Sequence, residues 1–96
     1  MTATTSSQTA NVTNPTLTTS STQIVAASSG RKGLIISNET TGIVYVYFGT
    51  TAASSTVHTL ALAAGQVYEH AYGSSGYSGA ITAIAVTSGL ISVTTW

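Results

Sequence analysis

Short runs of β-branched and aromatic residues, each stopped by Gly, Ser or Asn and recurring about every 8–12 residues, constrain this chain most. The strongest is Ile43-Val44-Tyr45-Val46-Tyr47-Phe48, closed by Gly49. Residues 23–27, 33–38, 57–62, 66–70, 79–86 and 90–96 read the same way. No window sustains an apolar repeat of 3.6 residues behind a helix cap. The stretch Thr59-Leu60-Ala61-Leu62-Ala63-Ala64 has fair helix propensity, but it is short and stops at Gly65, so a strand is expected there too. The reading is all-β: a small antiparallel β-sandwich or barrel of about seven or eight short strands.

Residues 1–22 differ in kind. They are mostly Thr, Ser, Asn and Gln, with Val12, Pro15 and Leu17 as the apolar interruptions after Ala10. Ordering each backbone residue costs about 1–2 kcal/mol, which so little apolar surface does not offset unaided. The organisation expected is an N-terminal arm over 1–22 and a β domain over 23–96. The arm is either a flexible tail or, as preferred here, an extended segment that orders on a neighbouring subunit through Val12 and Leu17.

Charge then limits function. Only 4% of the 96 residues are charged, two basic and two acidic, for a net charge of zero. An ordinary soluble domain carries about 25%. A surface of hydroxyls, methyls and backbone favours association, so self-association is expected. Nucleic acid is not an expected partner, because Arg31 and Lys32 are the only Lys or Arg residues and phosphate binding needs a cluster. No apolar run reaches the roughly 20 residues of a membrane-spanning helix. A transmembrane barrel would need more strands and a leader. Residues 1–8 lack the basic start and apolar stretch of a secretory signal, so synthesis in a cytoplasm is expected.

Little in the chain suggests catalysis. It has no Cys and no Asp, and its acidic side chains are Glu39 and Glu69. No nucleophile elbow occurs; Gly73 to Gly79 reads as a loop. A metal held by His58, Glu69 and His70 is disfavoured, since adjacent strand residues point to opposite faces. Gly30-Arg31-Lys32-Gly33 lacks the ending of a phosphate loop. Neither an enzyme nor a cofactor site is expected. The candidates are contact residues. Arg31 and Lys32 either keep a loop solvated or meet an acidic patch. Tyr45 and Tyr47 share a strand face with Ile43 that is covered by the chain's own loops or by a partner. Trp96 is a plug on its own core or an interface anchor.

Four stretches in order resemble a family of small β-structured virion proteins of tailed bacteriophages. They are Arg31-Lys32-Gly33-Leu34-Ile35-Ile36-Ser37-Asn38, Val44-Tyr45-Val46-Tyr47-Phe48-Gly49-Thr50, Leu62-Ala63-Ala64-Gly65-Gln66-Val67-Tyr68-Glu69 and Tyr77-Ser78-Gly79-Ala80-Ile81-Thr82-Ala83-Ile84. The likeness runs over about residues 23–93. It implies a non-enzymatic structural protein at the capsid surface, a decoration or cement protein bound across shell subunits. The implied partners are the major capsid protein or other virion proteins. Two alternatives stand beside it. One is a low-copy tail or vertex component. The other is a receptor- or carbohydrate-binding module stacking sugars on Tyr45, Tyr47, Tyr68, Tyr72 or Tyr77. An ice-binding face would need a regular Thr ladder, and the Thr spacing here is irregular.

Overall fold

The computed structural model describes residues 10–71 and 77–96. Its strands are β1 (Asn11–Thr13), β2 (Thr16–Leu17), β3 (Thr22–Val25), β4 (Gly33–Asn38), β5 (Val44–Phe48), β6 (Leu60–Leu62), β7 (Val67–Ala71), β8 (Ile81–Ala85) and β9 (Gly89–Thr95). The first sheet runs β1-β9-β4-β7, with β2 also on β9; the second runs β3-β8-β5-β6. Every pairing is antiparallel. The chain changes sheet at each connection except β1–β2 and β5–β6. The all-β reading holds, and of the sandwich and the barrel the chain forms the two-sheet sandwich.

Alternation builds the core. Leu34 and Ile36 of β4, Ile91 and Val93 of β9 and Leu17 of β2 face inward from the first sheet. Val25, Val44, Val46, Leu62, Ile81, Ala83 and Ala85 meet them from the second. Burying one such Leu, Ile or Val contributes about 1.5–3 kcal/mol. At one end Phe48 stacks on Tyr77 with ring centroids 5.1 Å apart and meets the edge of Tyr68 at 5.8 Å.

Among the described residues nine strands rather than seven or eight form, because residues 11–17 do not stand apart from the domain. Asn11, Val12 and Thr13 pair with Thr95, Thr94 and Val93, and Thr16 and Leu17 with Leu90 and Gly89. Pro15 donates no hydrogen bond and separates the two strands, while its carbonyl accepts from Ile91 N–H at 3.1 Å. A proline is tolerated here because this row is the sheet's edge. Leu17 is 0% exposed. It belongs to this chain's core, which corrects its expected place at a partner interface.

One side chain ties the sheets together where β4 ends. Asn38 is fully buried. Its amide nitrogen donates to the carbonyls of Gly42 and Leu62, both at 2.8 Å. Its oxygen accepts from Thr40 N–H at 2.9 Å and Thr40 Oγ1–H at 2.8 Å. Its main chain joins the β6–β7 turn, donating to Gln66 O and accepting from Gly65 N–H. That turn closes through Gln66 N–H to Ala63 O at 2.9 Å. Gly65, at φ 82°, supplies the positive φ that a type II turn needs.

Candidate interaction surface

The two outer faces of the sandwich differ. On the second sheet, residues 49–59 fold back over the strands. Thr82 Oγ1–H donates to Thr51 O at 2.7 Å, and Ser21 Oγ accepts from Ala53 N–H at 3.0 Å. Ala53 is 2% exposed as a result. Within this segment Ser54 Oγ accepts from Val57 N–H, and His58 Nδ1–H donates to Ser54 O at 3.1 Å. The His58 ring then lies against Tyr45, centroids 4.8 Å apart. These bonds hold 57–59 out of the strand expected to start at Val57, so β6 begins at Leu60.

No segment among the described residues crosses the outer face of the first sheet in this way. Registers place Val12, Thr94, Ile35 and Glu69 in one row across it. Ser92, Ser37 and Val67 form a second row, and Thr16 and Leu90 a third. Val12, Val67 and Leu90 are about half exposed or more, at 59%, 58% and 49%. Glu69 lies in the first row, and the Glu39 carboxylate reaches the second by accepting from Ser37 Oγ–H at 3.4 Å. Uncharged hydroxyls and exposed aliphatics on a sheet are surface that a neighbour can cover with little displacement of hydrated ions.

Trp96 lies at the end of this sheet, packed in part on its own chain at Gly33. Trp96 N–H donates to Gly33 O and Gly33 N–H to Trp96 O. The indole occupies the space a side chain on Gly33 would need, yet Trp96 remains 38% exposed. Gly33→Ala should push the indole into water, red-shift its emission and cost about 1–2 kcal/mol. Trp96 is the only tryptophan, so fluorescence and a melting curve read both effects.

Arg31 does something else than expected. It is 9% exposed, and Nη1 donates to Ala26 O at 3.1 Å while Nη2 donates to Tyr77 O at 3.0 Å and Gly79 O at 2.8 Å. Burial lowers its pKa, and the nearby Tyr77 acts to raise it. The guanidinium is thus an internal clamp between the β3–β4 connection and the segment entering β8, which corrects both expected roles in solvent or against an acidic patch. Arg31→Met should cost about 2 kcal/mol by stranding three carbonyls, and Arg31→Lys should recover only part of it; urea titrations compare them. Lys32 is exposed.

Tyr45 and Tyr47 are half-buried: Tyr45 lies against His58, and the Tyr47 ring fills the space beside Gly49, whose φ is 154°. Tyr68 and Tyr77 belong to the aromatic end of the core. Tyr72 and residues 73–76 lie outside the described residues. Glu69 and His70 point to opposite faces, as adjacent strand residues do. Among the described residues no three His, Cys, Asp or Glu side chains gather as a metal site would require. An open cleft of about 530 Å³ lies where β1 and β3 diverge, lined by Val12, Ile24, Arg31, Val93, Thr95 and Trp96. A hollow of about 290 Å³ lies beside Tyr45, Ile84 and Val86.

Ile35, Val67, Leu90 and Thr94 of the open face were not singled out by sequence reasoning. Their signal was the alternation 90, 92, 94 and 35, 37, read outward instead of inward.

The fold and this surface define a two-sheet antiparallel β-sandwich with one face covered by its own loop and one left open. No family model matches the chain, and neither the curated proteins nor the solved structures yield a match.

Proposed function

We propose that this chain is a non-enzymatic structural protein that works by packing the open face of its first sheet against subunits of a larger assembly. The observation that carries the reading is that face: Val12, Val67, Leu90 and Ser/Thr hydroxyls across the sheet, its charges among the described residues being Glu69 and the Glu39 carboxylate that Ser37 Oγ reaches. The assembly that the strand pattern resembles is a tailed-phage virion, where the chain would decorate and stabilise the capsid surface. A cement protein stabilises a shell by linkage, adding about 2.7 kcal/mol per site when present at a hundred times its dissociation constant. Low charge suits dense packing because identical neighbours do not repel.

Quantitative mass spectrometry of purified particles tests the reading. One copy for every one to few shell subunits supports decoration, and a few copies per particle moves the chain to a tail or vertex. Absence from particles ends the virion reading.

A further inference from the structure

We propose that β1 is an exchangeable strand: it opens on its own about Asn14–Pro15, and the β9 edge that it leaves takes the β1 segment of a second copy. This holds whatever assembly the chain joins, because it follows from how little of the fold grips β1.

The grip begins at Pro15. Pro15 O accepts from Ile91 N–H at 3.1 Å, and Thr18 O accepts from Ala85 N–H of the other sheet at 3.0 Å. Between them Leu17 is 0% exposed in the core. Asn11, Val12 and Thr13, by contrast, are all exposed, and none belongs to the core cluster. Asn11 and Thr13, on the side of β1 away from Val12, line the open cleft of about 530 Å³ towards β3 instead of meeting the second sheet. Among the described residues β9 is the one strand neighbour of β1. A short ladder of hydrogen bonds is therefore what holds it, and their net worth about equals the entropy of ordering the residues that make them. Pro15, with no N–H to donate, separates this ladder from the anchor.

Two bonds fix the pattern of the ladder. Ile91 N–H points to Pro15, and Trp96 N–H points to Gly33 beside β4. Alternation then aims the N–H groups of Val93 and Thr95 at β1 and those of Ser92 and Thr94 at β4. When β1 leaves, Val93 and Thr95 present bare donors and acceptors, a template for an extended strand. The register Asn11↔Thr95, Val12↔Thr94, Thr13↔Val93 shows which strand fits that template. The β1 of a second copy restores the same bonds with the same side chains, so exchange between copies loses no contact. That identity selects the occupant, since any other strand would have to match a site already shaped to this one.

Amide exchange followed by NMR on the full wild-type chain tests the opening. Val93 and Thr95 N–H should exchange on the order of 100-fold faster than Ser92 and Thr94 N–H of the same strand. Cross-linking tests the exchange between copies, in a chain with no Cys of its own. Val12 and Thr94 face each other as a non-hydrogen-bonded pair, with Cα atoms about 4.5 Å apart, within reach of a disulfide. Val12→Cys and Thr94→Cys are made as separate proteins, mixed at roughly 200 μM, which populates micromolar association, and oxidised. The 12–94 heterodimer should exceed, on the order of tenfold, the heterodimer of Val12→Cys with Val86→Cys. Val86 is 57% exposed but lies outside the first sheet. Circular dichroism confirms that each variant is folded, and the wild-type amides need no variant. The double variant Val12→Cys/Thr94→Cys, oxidised as a monomer, should slow Val93 and Thr95 to the rates of their neighbours. Equal protection along residues 92–95 of the wild type overturns the proposal. So does a 12–94 heterodimer no more abundant than the Val86→Cys control.

Discussion

Replacing Asn38 by Ala should destabilise the domain by about 3–5 kcal/mol, a large share of the roughly 5–10 kcal/mol expected for a chain of this size. Four groups lose a partner at once: the carbonyls of Gly42 and Leu62, and the N–H and Oγ1 of Thr40; of these Gly42 O and Thr40 Oγ1 retain their bond to each other at 3.0 Å. The side chain spends both donors and both acceptor sites, so no other residue type replaces it. Asn38→Asp keeps the shape and is the sharper comparison. Its carboxylate would face two carbonyl oxygens without solvent, which raises its folded pKa above the unfolded value near 4. A group that binds its proton more tightly when folded makes stability rise as pH falls. Urea titrations at pH 7 and at about pH 4 should therefore show partial acid rescue of Asn38→Asp and none of Asn38→Ala. An Asn38→Ala protein as stable as wild type would refute the corner.

Leu17→Ala should cost about 3 kcal/mol, through lost burial and the cavity left behind. Leu17 is fully enclosed although it lies in a segment whose composition reads as an arm. Val12→Ala, at a position 59% exposed in the same segment, should change stability by no more than about 0.5 kcal/mol. Thermal or denaturant melts of the two variants settle whether residues 11–17 belong to the fold. Equal, small effects would return that segment to the role of an arm.

Strands whose apolar residues alternate were legible, because the pattern that fills the core is written locally. Residues 33–38 became β4 without change, and 43–48 lost only Ile43. β1 and β2 were not legible, since their pairing is supplied by β9, far along the chain, and one inward residue, Leu17, carries the burial. The start of β6 was misread because a Ser54 turn, rather than strand propensity, decides residues 57–59. Among the candidates, Arg31 was the least readable. Its partners are main-chain carbonyls at Ala26, Tyr77 and Gly79, which no side-chain motif announces.

The position of β9 sets the order in which this molecule can be made. It lies between β4 and the row formed by β1 and β2, so β1 and β2, which precede it by about 70 residues, wait for β9 before their strand partner exists. Until then Leu17, Leu34 and Ile36 face water, and the first sheet exists at most as the β4–β7 pair. Closing such distant registers is slow, placing folding in the range of about milliseconds to seconds. Translation at about 5–20 residues per second is the slower process, so completion of the first sheet waits on the arrival of β9 rather than on the pairing itself.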